Sequence, residues 1–209
     1  CQSVDLMGRR WCIDHNAFRE ERSRFDAVGC CLERTILGRR ELFTYDWLGQ
    51  LTSDDGRSAT YDSLHRRLES EGISARHNSR NQVISVGEKP IVYDPDGRKM
   101  ADGRFRYFYD ACDRLVAVEE GAVRYEYTYD AYHRRLSTTT LLNGQKTSTE
   151  LFFWQGEYEV GSVEEGKVTS LKVLGEGLGG DVGAAVLFEI AGQPVLPIHD
   201  LSGHVRVCL

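Results

Sequence analysis

Carboxylates at regular spacing are the residues of this chain that could do acid–base chemistry or bind a metal ion. They belong to a recurring pattern, Tyr-Asp-x-x-Gly, which is followed by Arg and an apolar residue. Successive copies begin 21, 20, 16, 16, 16, 16 and 20 residues apart. Because the carboxylate recurs along the chain, a catalytic role for one member would leave the others unexplained. A structural role is therefore predicted for the second position, which is occupied by Asp5, Asp26, Asp46, Asp62, Asn78, Asp94, Asp110 and Asp130.

Histidine and cysteine are the other residues that could transfer protons or bind metal. His199 and His204 are five residues apart, so they share neither a helix face nor a strand face. The six cysteines form no CxxC pair and no cysteine–histidine cluster at zinc-finger spacing. They are either reduced, buried thiols or partly paired in an oxidising compartment. The sequence thus predicts no catalytic site and no metal site.

A glycine-rich segment offers one further possibility, a nucleotide-dependent enzyme. Gly175–Gly180 contains GxGxxG after a strand-like stretch, and Asp200 follows at a distance suited to a ribose contact. A dinucleotide fold also needs strands that alternate with helices of about 10 to 15 residues, which the flanking sequence lacks. We therefore interpret the segment as a turn, with a short helix over 182–190 as an alternative, and expect no cofactor.

The spacing of the repeat indicates a tight turn. Asp or Asn at the first position of a type I turn accepts a hydrogen bond from the backbone two residues on, and a left-handed residue follows as the chain reverses. Such a turn makes a three-residue hairpin loop with a bulge. The fifth position holds only Gly or members of the Asn, Asp and His group, which are enriched at positive φ. These residues are Gly8, Gly29, Gly49, His65, Asn81, Gly97, Asp113 and His133.

The segments before each turn have the period-two alternation of half-buried strands. A 16-residue copy divides into two strands of about five residues and two tight connections, so each copy is one hairpin. The sequence therefore predicts an all-β repeat protein, a curved sheet of successive antiparallel hairpins that packs its tyrosines on one face. Hairpins of the repeat occupy residues 1–140, and 141–209 continue the sheet with longer strands. The packed tyrosines are Tyr45, Tyr61, Tyr93, Tyr109 and Tyr129.

Composition excludes two classes of protein. The net charge of −6 and the pI near 5.6 argue against a dedicated nucleic-acid-binding protein, which would need a concentrated basic face. The longest apolar run, 182–188, is far shorter than the roughly 18 to 20 residues of a membrane-spanning helix. We expect neither a nucleic-acid partner nor a membrane span.

The repeats resemble the YD repeats of the rearrangement-hotspot (Rhs) proteins and of their relatives, the toxin-complex C subunits and the teneurins. Tyr45–Gly49, Tyr93–Arg98 and Tyr109–Leu115 carry the likeness best, over residues 4 to 140. The tail Val195–Arg206 is similar to the HDxxGxVR segment that closes the Rhs core, and it repeats the turn once more at Asp200 and Gly203.

This resemblance implies a fold and a function. In the family, the repeats coil as a β-spiral into a hollow shell that encloses a C-terminal toxic polypeptide until delivery. The 209 residues here would supply a partial wall of such a shell. The implied partners are the rest of the shell, an enclosed toxin and a protein of the delivery system. The implied location is outside the cell or on its surface after export, although no signal peptide is visible.

Two alternatives concern chemistry and binding. Asp94–Gly97 matches the DPxG pattern of the family's self-cleavage site, but its register is that of an ordinary repeat turn, so we interpret it as structural. Self-cleavage or toxin activity would then lie beyond residue 209, and the chain itself would not be an enzyme. The aromatic stripe could instead stack on sugars, which would make the chain a cell-surface carbohydrate-binding or adhesion module.

Overall fold

The computed structural model describes residues 2–5, 7–175, 185–199 and 204–208. Within these residues it contains only strands and their connections, and within each sheet every strand pairs with the next one along the chain, antiparallel wherever the register is described. The prediction of an all-β chain built of successive antiparallel hairpins is confirmed. The described residues include no helix that is long and apolar enough to cross a membrane.

The first sheet has eleven strands in chain order. Its strands are β1 (Gln2–Val4), β2 (Arg10–His15), β3 (Phe18–Phe25), β4 (Cys31–Ile36), β5 (Arg39–Tyr45), β6 (Leu51–Asp54), β7 (Arg57–Tyr61), β8 (Arg67–Ser70), β9 (Ile73–His77), β10 (Val83–Val86) and β11 (Lys89–Pro90).

The second sheet also has eleven strands in chain order, and a short two-stranded pair follows it. The sheet contains β12 (Val92–Tyr93), β13 (Lys99–Ala101), β14 (Arg106–Tyr109), β15 (Leu115–Glu120), β16 (Val123–Tyr129), β17 (Arg135–Leu142), β18 (Gln145–Gln155), β19 (Tyr158–Glu164), β20 (Lys167–Leu174), β21 (Ala185–Ile190) and β22 (Gln193–Val195). The pair is β23 (Pro197–His199) with β24 (Val205–Cys208).

Proline explains where the first sheet ends. Pro90 lies in β11, and because it has no N–H it is confined to edge strands. The chain also divides into two compact units with a boundary just before β11, one formed by Cys1–Glu88 with Ile198–Cys208 and the other by Lys89–Pro197. The division at residues 140 and 141 stays a prediction based on strand length. β17 runs through residue 140, and β18, with 11 residues, follows it.

Few side chains are fully buried, because each sheet is built from single hairpins laid side by side. Among the described residues, the buried hydrophobic side chains are Cys12, Phe18, Ala117 and Ala185. The tyrosines of the repeat are half-buried. The described cysteines are free thiols, and Cys12 is buried among them.

The structure describes part of the segment that follows the glycine-rich run, for which the sequence favoured a turn and offered a helix as the alternative. Ala185–Ile190 is a strand, so the helix considered over 182–190 is wrong there. The strand pairs with β20 from Ser170↔Ile190 to Leu174↔Ala185, and its β-branched and aromatic residues suit such pairing. Residues 176–184 and the predicted turn residues Asp200 and Gly203 lie outside the described residues.

Candidate functional site

Among the described residues, eight tight turns share one geometry, and we call them the repeat turns. In each, the amide of the fifth position donates to the carbonyl of the second position over 3.0–3.3 Å, and the amide of the second position donates to the carbonyl of the sixth over 3.0 Å. The φ angle of the fifth residue is positive throughout. Its values are Gly8 76°, Gly29 94°, Gly49 76°, His65 62°, Asn81 64°, Gly97 91°, Asp113 60° and His133 63°.

The side chain of the Asp or Asn at the second position accepts hydrogen bonds from backbone amides of its own turn. In the third copy, Asp46 Oδ1 accepts hydrogen bonds of 2.9 Å from the amides of Leu48 and Gln50. The Asn78 copy makes the same pair of contacts at 3.0 Å, to Arg80 and Gln82. A neutral amide oxygen therefore serves as well as a carboxylate for these contacts, which explains why Asn is accepted at this position.

The second carboxylate oxygen pairs with the arginine four residues on. Arg66 Nε donates to Asp62 Oδ2 at 2.6 Å, and this hydrogen bond is the largest cause that lowers the pKa of Asp62 to about 2. Asp5, Asp94, Asp110 and Asp130 make the same contact at 2.6–2.7 Å with the arginines of their own turns. A carboxylate with both oxygens occupied is held ionised, so it is poorly placed to act as a general acid.

Tyrosine hydroxyls connect each repeat to the preceding one. The Tyr129 hydroxyl donates to the Leu115 carbonyl over 2.7 Å, and Leu115 lies five residues after the Asp of the preceding turn. The acceptor has the same position in the other examples. These bonds are Tyr45 to Cys31 at 3.0 Å, Tyr61 to Leu51 at 2.8 Å and Tyr109 to Lys99 at 3.1 Å.

Turn arginines make a second connection between repeats. The Arg114 guanidinium lies 5.4 Å from the centre of the Tyr129 ring, and Arg98 lies 5.7 Å from that of Tyr109. Arg114 Nη1 also donates to the Asp130 carbonyl in the next turn over 3.3 Å. Each of these arginines therefore neutralises its own turn and covers the ring of the next repeat.

Trp154 continues this arrangement, although the sequence pattern does not identify it. Its indole N–H donates to the Arg135 carbonyl over 2.9 Å. Arg135 lies five residues after Asp130, which is the position whose carbonyl accepts a tyrosine hydroxyl in the other repeats. Arg134 Nη1 correspondingly reaches the Gly156 carbonyl at 2.7 Å. The sequence around Trp154 does not fit the repeat, because Gln155 stands where the repeat has Asp and the next Gly is Gly156, only two residues after the Trp.

A compact charged cluster lies between β13 and β14. Asp102 Oδ2 accepts hydrogen bonds from the Tyr107 hydroxyl at 2.5 Å and from Lys99 Nζ at 2.9 Å. Tyr107 is the largest cause of the lowered pKa of Asp102. Asp102 Oδ1 accepts from the Phe105 amide at 2.9 Å, so the cluster closes the tight turn between the two strands. These contacts give the cluster a structural role in that turn.

The tips of the repeat turns in the first unit expose apolar side chains. Trp47 is 90% exposed and Val28 83%, and Met7 and Leu64 are similarly exposed. The backbone amides of Val28 and Leu64 are bound by Asp carboxylates of their own turns. These tips therefore present single apolar side chains on turns whose amides are bound by the turn's own Asp.

The candidate carboxylates and histidines are distributed over separate turns and strands. Within the described ranges, no group of three or more His, Cys, Asp or Glu side chains could hold a metal ion. His65 and His133 lie in repeat turns, and His199 ends β23. What the arrangement does chemically is to hold strands in register and to fix the backbone of each turn.

No family model matches the chain, but curated relatives do, among them a Bacillus protein and a Burkholderia protein. It is 32% identical over 122 residues to the tRNA nuclease WapA of Bacillus subtilis (strain 168), a match that covers 55% of this chain and 4% of the relative. It is 32% identical over 129 residues to the double-stranded DNA deaminase toxin A of Burkholderia cenocepacia (strain H111), covering 56% of this chain and 8% of that protein. The chain thus spans a small fraction of the length of these relatives.

A solved structure shares the fold. In the Tc holotoxin pore of Photorhabdus luminescens, which carries a TccC3 variant, one chain superposes with a TM-score of 0.61 and 12% sequence identity. The superposition covers all of this chain and 14% of that one. Together with the repeat itself, these comparisons confirm the resemblance to the rearrangement-hotspot, or YD-repeat, family.

Proposed function

We propose that this chain is a stretch of wall in a toxin-associated shell of the Rhs type, and that the shell encloses and presents a C-terminal toxin or effector. The observation that carries the proposal is the connection between repeats. The Tyr61 and Tyr129 hydroxyls each bind the carbonyl that follows the preceding turn, so successive hairpins are held in one register. A wall needs such regular side-by-side contacts more than it needs a reactive site.

The relatives support this proposal through what their names describe. WapA is named as a tRNA nuclease and the Burkholderia protein as a deaminase toxin, and this chain matches only a few per cent of each. On our proposal, the matched part is scaffold, and the chain itself is not an enzyme. Its partners are the remainder of the shell, the enclosed polypeptide and a protein of the delivery system. The assembled protein acts outside the producing cell or on its surface after export.

Protease protection in the full-length gene product tests containment. A protein that carries this chain and its natural C-terminal segment is digested with and without Gly49→Val, which strains a repeat turn whose φ is 76°. We expect the C-terminal segment to resist digestion in the parent and to become sensitive in the variant. A matched variant at an exposed strand position, Lys146→Ser, should keep the segment resistant. Equal sensitivity of parent and variant contradicts containment.

Carbohydrate binding is a second candidate, which the 90% exposure of Trp47 favours, because exposed aromatic rings stack on sugars. Tyr107 is less suited to this role, since its hydroxyl is bound to Asp102 and Lys99 Nζ lies 4.3 Å from its ring centre. A glycan array probed with the chain and with Trp47→Ala tests the idea. Binding that is lost in the variant supports it, and the absence of any bound glycan rejects it.

A further inference from the structure

Three copies of the repeat lack the tyrosine, at Val4, Phe25 and His77, and only the copy with His77 lies between copies that have it. In the fifth copy, which contains Asn78, the ring position is occupied by His77, and the residue two positions earlier is Ala75. The corresponding positions hold Tyr109 with Tyr107, and Tyr129 with Tyr127, in later copies. The aromatic face is therefore interrupted at β9.

A cavity of about 490 Å³ lies at this interruption. This volume falls within the roughly 300–1,000 Å³ of pockets that bind small ligands. Its surface is mostly apolar, although four of its nine lining residues are apolar and the others are polar or charged. The lining residues include Arg67, Ile73, Ala75, His77, Val83 and Val86.

The missing tyrosine also leaves a hydrogen-bond acceptor without its usual donor. Arg67 lies five residues after Asp62, the position whose carbonyl accepts a tyrosine hydroxyl at Leu51, Lys99 and Leu115. In the part of the chain that the structure describes, no side chain donates to the Arg67 carbonyl. His77 does not replace the phenol, because its Nδ1 is buried without a hydrogen-bond partner.

From these observations we propose that the cavity between β8 and β10 binds a phenolic ring, the side chain of a tyrosine in a polypeptide that lies against this face. The ring contacts Ala75 and Val83, and its hydroxyl donates to the Arg67 carbonyl. The other copies show that this face accommodates such a ring and that the acceptor position binds its hydroxyl. All of these residues belong to the first unit, and the binding of such a ring does not require containment of a toxin.

Titration of the 209-residue chain with N-acetyl-tyrosinamide, followed through backbone amide NMR shifts, tests the proposal. We expect shifts at Ala75, Val83 and Val86, and a dissociation constant about fivefold lower than that of N-acetyl-phenylalaninamide, because one net hydrogen bond contributes about that factor. Equal affinity for the two compounds, or shifts confined to other residues, overturns the proposal.

Restoring the tyrosine at position 77 should abolish binding of N-acetyl-tyrosinamide. His77→Tyr places the missing ring in the cavity, so we expect a raised melting temperature and no shifts on addition of N-acetyl-tyrosinamide. Lys146→Tyr adds a tyrosine to an exposed position of the second unit and should leave the affinity unchanged. Ala75→Leu fills the floor by a second route, and it too should remove binding. Retained affinity in both folded filling variants overturns the assignment.

Discussion

The Tyr129 hydroxyl donates a 2.7 Å hydrogen bond to the carbonyl of Leu115, which lies 14 residues earlier in the chain. This bond joins the end of β16 to the start of β15, just after the preceding turn. Because the tyrosine is half-buried, its hydroxyl would otherwise lose hydration without compensation. The same relationship recurs between other repeats, so it makes the tyrosine of the pattern more than an apolar side chain.

Removal of one such hydroxyl should lower stability modestly. Tyr129→Phe keeps the ring but leaves the Leu115 carbonyl without that donor, so we expect the free energy of unfolding to fall by about 1 kcal/mol in urea denaturation. Tyr132→Phe removes a hydroxyl from a side chain that is 79% exposed and should change stability little. An equal loss in the two variants would show that the cross-repeat bond contributes nothing specific.

The Asp62–Arg66 pair predicts a defined acid sensitivity. The Arg66 hydrogen bond holds the pKa of Asp62 at about 2 in the folded state, below its ordinary value of 3.8. Since the folded pKa is the lower one, the stabilisation is fully present above the ordinary value and is lost as pH falls from about 4 through about 2. We therefore expect Asp62→Asn to lower the melting temperature at pH 6, and the gap to the parent to close by pH 2.

The control for this measurement is Glu157→Gln, which removes an exposed carboxylate. Its melting temperature should follow that of the parent over the whole pH range. We expect Asp62→Asn to keep the turn itself, because in the Asn78 copy the side-chain amide oxygen accepts hydrogen bonds from the two backbone amides at the equivalent positions. A gap between Asp62→Asn and the parent that stays constant from pH 6 to pH 2 would rule out the ion pair as its cause.

The fifth position of the repeat turn should reject β-branched residues through backbone strain alone. At Gly49 the φ angle is 76°, and an added Cβ would meet no atom within 4 Å. Gly49→Val should therefore cost about 1–3 kcal/mol of stability without a steric clash. Gly49→Asn is the matched variant, because Asn81 already occupies this position at φ 64°, and it should cost clearly less. Indistinguishable chemical denaturation of the two variants would argue against strain.

Residue types predict the turns well, because few residues tolerate a left-handed backbone and the Asp at the second position has two amides to bind. Thus the positive φ at His65 and Asp113 follows from local chemistry alone. The tight turns that join strands at the other end of the hairpins are harder to predict from the sequence. Leu37 and Ala191 adopt φ of 49° and 50°, although neither belongs to a residue type that favours this region, and the only local signal is the Gly that follows each.

Long-range features were less accessible from the sequence. The break between the sheets at Pro90 depends on which strand becomes an edge, and that choice is made by the pairing of neighbours. Trp154 replaces a tyrosine without the rest of the pattern, so only its 2.9 Å bond to the Arg135 carbonyl reveals its equivalence. The cavity beside His77 likewise needs coordinates, since it depends on side chains from three strands.

Close backbone approach makes Gly161 in β19 a further test of the pairing. It is buried between Phe153 of β18 and Leu171 of β20, and a Cβ at this position would lie 2.6 Å from the Ser170 carbonyl oxygen and 2.9 Å from Leu171 Cδ2. Because the nearer atom belongs to the backbone, Gly161→Ala must displace β20, and we expect a loss of about 1–3 kcal/mol in chemical denaturation. Adding Leu171→Ala relieves only the side-chain contact and should not restore stability, whereas full rescue by that second substitution would show that the backbone can yield.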